Sequence, residues 1–148
     1  MIQKLTTLLI LLSINISIQA QDKKKEGFSK EEFRSRQEAY LTQKAEITKE
    51  EAARFFPIYF ELQDRKKAIN DKAWEQARKG KDPQATNADY EQIIEGIVKA
   101  RIEAGKLDLE YLLRFKKILS PQKIYKLQRA EMKFHRDLLK IMHQPHKK

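Results

Sequence analysis

Apolar residues recur at alternating spacings of four and three along Ile93, Ile97, Ala100, Ala104, Leu107 and Tyr111, and Phe115 and Ile118 continue the line. That is the period of a helix with a long buried seam. Val98, Ile102, Gly105, Leu109 and Leu113 make a second line about 140° away at 100° per residue, so this helix has two faces to cover. Upstream, Phe55, Ile58, Tyr59, Leu62, Ile69, Ala73 and Ala77 form another core face, along which the stem of Lys66 can lie. Roughly 120° from it, Phe56, Phe60, Lys67, Trp74 and Arg78 share a strip in which rings alternate with cations. A last stripe, Ile124, Leu127, Phe134, Leu138 and Ile141, predicts a helix with one apolar face, and Glu131 falls inside it.

Punctuation between these runs sets the ends. Ser29 followed by Glu32 reads as a capping box, with Phe28 and Phe33 at the staple positions, and predicts a first helix to about Lys44. Thr48 with Glu51 repeats the signal; from there no breaker except Pro57 appears before Gly80, which predicts a helix of roughly 31 residues, about 46 Å, kinked at the proline. "RKGKDPQATNAD" is the mid-chain turn, and Thr86 or Asn87 caps a third helix expected to reach Leu119. Ser120 caps the fourth, Pro121 takes its first position, and Leu119 and Ile124 are the staple pair. The expected fold is all-α: two long helices, 2 and 3, form an antiparallel hairpin flanked by shorter helices 1 and 4, in one domain over 29–144. Two short helices cannot cover every apolar face, so a homodimer is the economical way to bury the rest.

Composition agrees with few turns: 4 Gly, 4 Pro and no Cys in 148 residues. Residues 1–20 change the picture. A charged start, an uncharged apolar run from Leu5 to Ile18 and Ala20 before "QDKKK" predict a secretory signal peptide cleaved near Ala20, because the run is shorter than the ~20 residues that cross a bilayer. Residues 21–28 then read as a flexible linker and 145–148 as a basic tail, and the mature chain is expected in the periplasm or outside the cell. The formal charge of +10 points to anionic partners; export puts nucleic acid out of ordinary reach and leaves membrane surface, glycans or acidic protein segments.

Catalytic patterns are missing. The chain has no Gly-rich phosphate loop, G-x-S-x-G, H-E-x-x-H or Glu-x-x-His pair, so neither an enzyme nor a cofactor is expected. His135, His143 and His146 read as residues near a helix C-terminus rather than metal ligands, and Glu131 with His135 reads as a hydrogen-bonded pair. The Phe56, Phe60, Lys67, Trp74, Arg78 strip has two readings: packing against another helix, or a surface for other chains with Arg54, Arg65 and Lys72 as a neighbouring basic line.

The two corners, "ITKEE" (Ile47, Thr48 and Glu51 at the informative positions) and "LSPQK" (Leu119, Ser120 and Lys123), resemble the paired LTxxQ motifs of the Spy/CpxP family of small exported helical proteins. The resemblance covers nearly the whole mature chain. It implies an antiparallel dimer shaped as a thin curved cradle, acting as an ATP-independent chaperone on unfolded periplasmic proteins under envelope stress. The alternative it implies is a sensor or regulator of a stress-signalling system with a membrane-anchored kinase or anti-sigma factor as partner; some relatives sense metals through His-rich segments that this chain lacks, which leaves a metal sensor or carrier using His135 and His143 as a third reading. Both fifth motif positions depart from Gln: Glu51 can still complete a capping box, whereas Lys123 cannot accept a backbone hydrogen bond.

Overall fold

The computed structural model describes residues 29–143, with side chains up to residue 140. The expected signal peptide, linker, Phe28 and basic tail, and the side chains of Ile141, His143 and His146, lie outside the described residues. Within them every regular element is helical: α1 (Lys30–Ala45), α2 (Lys49–Ala77), α3 (Asn87–Phe115) and α4 (Pro121–His143), with a 3₁₀ turn at Arg78–Lys81 after α2.

The caps form where the sequence placed them, with two differences. Ser29 accepts from the N–H of Glu32 at 3.1 Å, but the Glu32 carboxylate turns one turn onward to Arg36 at 2.8 Å, so the expected first capping box is only half made. A charged donor outcompetes a backbone amide for an exposed carboxylate. Thr48 with Glu51 and Thr86 with Asp89 are complete capping boxes. Helix α2 continues through Pro57.

The second difference is the end of α3. It stops at Phe115, four residues before the expected Leu119, and the chain tightens into i→i−3 bonds at Lys117 and Ile118. Pro121 disfavours helical geometry at the residue before it, and the tightened turn lets Leu119 swing into the core beside Ile124, both buried. At the other corner, Glu46 caps α1 in the left-handed conformation, φ 54° and ψ 43°. Its carboxylate reaches Lys126 at 2.8 Å, a contact that helps hold a conformation few side chains adopt.

The core gathers where all four helices meet. Leu41, Phe55, Tyr111 and Leu119 are fully enclosed, and the ring of Phe55 lies 4.8 Å from that of Phe115 and 5.2 Å from that of Phe56. Helices α1 and α4 are joined through Phe134, whose ring contacts Phe33 and Tyr40. Across α2 and α3, Glu61 meets Arg114 at 3.1 Å and Lys66 meets Asp108 at 2.7 Å, and the Tyr90 hydroxyl of α3 donates to the Gly80 carbonyl of the 3₁₀ turn at 3.2 Å. The seam of α3 faces α2 as the periodicity predicts: Ala100, Leu107, Tyr111 and Phe115 are buried. Beyond the core the pair thins, and no side chain between Leu62 and Ala100 is buried.

Candidate binding surface

The six motif positions come together. Ile47 and Leu119 are buried in the core, Thr48 and Ser120 cap their helices, and Glu51 meets Lys123 across the two corners at 2.6 Å. Both side chains are 24% exposed. The departures from Gln are therefore complementary: Glu51 takes the N–H of Thr48 at 2.8 Å and the ammonium of Lys123 on the same oxygen. Lys123, which cannot complete a capping box, ties the second corner to the first instead. These partners, Lys123 first and then the Thr48 amide, hold the Glu51 carboxyl below the usual carboxylate range.

A structural site of this kind has a measurable signature. Lys123→Glu should lower the thermal midpoint by setting two carboxylates against each other, and adding Glu51→Lys should recover part of the loss, the rest reflecting the broken capping box. Additive losses would show that the two residues do not interact. Because the folded-state pKa of Glu51 is lowered, its stabilising contribution is present above the unfolded value and is lost as pH falls through the folded one. The advantage of the parent over Lys123→Gln should thus be steady near neutrality and shrink below about pH 4.

A second partly buried polar cluster sits close by. The Tyr59 hydroxyl donates to Glu131 at 2.7 Å and accepts from Gln37 at 3.1 Å, while Gln63 donates to Glu131 at 2.9 Å. Burial, and then the charge of Glu131, push the Tyr59 phenol far above its ordinary value, so it remains a donor at every physiological pH. This explains why Glu131 interrupts the apolar stripe of α4. His135 lies 3.9 Å from the same carboxylate, beyond hydrogen-bond distance. Among the described residues no group of three His, Cys, Asp or Glu side chains could hold a metal.

The ring-and-cation strip of α2 divides. Phe56 is 2% exposed and belongs to the core, because α1 folds over this end of α2; it cannot meet a partner in this state. Phe60 is half-buried with the guanidinium of Arg34 4.9 Å above its ring. Farther along, where α1 no longer covers α2, Trp74 is 66% exposed. Phe33, Phe60, Lys67 and Trp74 line one open groove of about 530 Å³ between α1 and α2, with Lys30, Arg34, Lys66, Asp64 and Asp71 around it. Arg34 and Lys30 hold the Asp64 carboxyl below its ordinary value, and Lys67 pairs with Asp71.

The remaining basic residues stand apart from that groove. Arg78 is exposed on the 3₁₀ turn, and Arg54 and Lys72 are exposed on α2 without lining it. Arg65 faces α3 instead, where it reaches the Tyr111 hydroxyl at 3.1 Å and Glu110 at 3.4 Å.

Two further surfaces are exposed. The second line of α3 meets water: Val98, Ile102, Leu109 and Leu113 are about half exposed or more, Ile94 extends the line, and Gly105 has open space where a side chain would stand. Helix α4 carries a second line that a one-face reading overlooks, Tyr125, Met132 and Leu139, all exposed. Their spacing of seven is the signal that could have found it. No helix among the described residues is long and apolar enough to cross a membrane. Comparison with protein-family models, curated proteins and solved structures returns no match.

Proposed function

We propose that this chain is an ATP-independent, chaperone-like binder of unfolded or misfolded polypeptides in the periplasm, built on an antiparallel α2–α3 hairpin and acting as a homodimer related to the Spy/CpxP proteins. The observation that carries the reading is Trp74: a large ring left two-thirds in water beside Phe33 and Phe60, in a groove whose rim holds four cations and two carboxylates. Isolated apolar residues at a surface are ordinary, but a tryptophan at the mouth of an aromatic groove offers weak contact to any apolar segment. The basic rim adds long-range attraction for acidic clients. Release needs no nucleotide, since a client that folds withdraws its own apolar surface.

Cross-contacts support the hairpin, as residue numbers rise along α2 and its 3₁₀ turn while those of their partners fall along α3. The line from Ile94 to Leu113 supports the dimer: five large apolar side chains on the outer face of α3 gain cover when a second copy packs there.

The purified chain should suppress light scattering from an aggregating client at near-stoichiometric amounts without ATP, and salt should weaken the effect. Trp74→Glu should reduce suppression several-fold while leaving the melting temperature nearly unchanged, because the site is exposed. Trp74 is the only tryptophan, so its fluorescence should shift to the blue as client is added. Full suppression by Trp74→Glu, or an indole that does not respond, would remove this groove from the mechanism. No suppression at several-fold excess, together with one stoichiometric membrane-anchored partner in a pull-down, would instead support the regulatory reading.

A further inference from the structure

The outward face of α4 is rich in cations, with one carboxylate, Asp137, at its edge 3.8 Å from Lys140. Lys126, Arg129, Lys133 and Arg136, with Lys44 from α1, line an open groove between the two helices, with no carboxylate among the described residues of its wall. Lys126 is engaged by Glu46, whereas Arg129, Lys133 and Arg136 make no ion pair or hydrogen bond among the described residues. Tyr40 stands in the same wall with its hydroxyl buried and without a hydrogen-bond partner. All the charged side chains described in that wall are cations.

Helical spacing orders this face. Tyr125 and Met132, continued by Leu139, form an exposed apolar line. Arg129 and Arg136 lie about 50° to one side of it, and Lys126, Lys133 and Lys140 about 50° farther on. The order runs from apolar to arginine to lysine along roughly 22 Å of helix. Arginine next to the apolar line can lay its stem over that surface while the guanidinium stays among anions.

We propose that this face of α4 docks on an anionic phospholipid surface. Charge complementarity selects an anionic partner. The exposed apolar line selects a bilayer among such partners, because a soluble polyanion would leave Tyr125 and Met132 in water. A lipid interface accepts phosphate contacts and shallow apolar insertion along one helix. An acidic peptide is the competing occupant; the cations here spread in two parallel lines instead of converging on fixed points. The surface is separate from the Trp74 groove, so the proposal stands or falls independently of the chaperone reading.

The experiment is co-sedimentation of residues 21–148 with vesicles. This form keeps every described helix and every side chain buried among the described residues, and it lacks the apolar Leu5–Ile18 run that could itself insert. Binding is expected to phosphatidylcholine vesicles containing phosphatidylglycerol and not to phosphatidylcholine alone, with release at high salt. Arg129→Glu/Lys133→Glu/Arg136→Glu should weaken binding at least about tenfold, and Met132→Ser a few-fold at unchanged charge. Should the triple variant fail to fold by circular dichroism, Lys133→Gln/Arg136→Gln serves as the milder test and should weaken binding about fivefold. Equal binding by parent and charge variants would overturn the proposal, as would no binding to anionic vesicles. Indifference to Met132→Ser combined with displacement by polyglutamate would overturn it in favour of acidic peptide. Loss of a dimer in the charge variants would overturn it in favour of a second copy.

Discussion

Phe55→Ala should reduce folding stability by about 3–5 kcal/mol, the range for removing a large ring from a packed interior. Against a typical total of about 5–15 kcal/mol this leaves a marginal protein. Phe55 is fully enclosed and its ring touches those of Phe56, Tyr59 and Phe115, so the void would open where α2 and α3 both depend on one side chain. Urea titration followed by helical circular dichroism should show a lower midpoint with an unchanged slope, which separates lost stability from a changed unfolded state. Phe55→Leu should retain much of the stability by keeping the site apolar and partly filled. A loss under 1 kcal/mol for Phe55→Ala would mean that neighbouring rings collapse into the space and that the packing described above is looser than it looks.

The second large effect is polar. Tyr59→Phe removes one hydroxyl that serves two partners, Glu131 as donor and Gln37 as acceptor, and it should cost about 1–3 kcal/mol, the range for leaving a buried group unsatisfied. Gln37 is the one polar side chain in the buried set among the described residues, and without Tyr59 its amide loses the described partner. Glu131 suffers less, because Gln63 still donates to it. Adding Gln37→Met to Tyr59→Phe should therefore cost less than Gln37→Met alone, a coupling that a double-mutant cycle measures directly. Simple additivity would show that Gln37 finds water once the hydroxyl is gone.

Much of the architecture was legible from residue order. Periodicity located α2, α3 and α4, and the threonine caps are physical signals because side-chain oxygens and orphan amides meet within three residues. The end of α3 was harder to read: Lys116 to Leu119 carry no breaker, and the turn there comes from Pro121 downstream and from the space that Leu119 fills. Phe56 and Trp74 share one strip on the helical wheel, yet α1 covers the first and ends before reaching the second. A wheel records angle and not the length of the neighbour. The pairing of Glu51 with Lys123 was likewise out of reach, since each looks like an imperfect motif position until the corners are seen face to face.

Thickness decides one more property of this molecule. Helices α2 and α3 leave the four-helix region and run on as a pair with no buried side chain between Leu62 and Ala100. Local opening is least costly where few apolar contacts must be broken, so amide protons should exchange on a gradient, slowest near Phe55 and Tyr111 and fastest toward the Gly80 end. Trp74 lies on the fast side of that gradient. Whatever settles against it would stiffen a yielding arm and leave the closed end undisturbed, so one chain combines a durable anchor with a compliant reach.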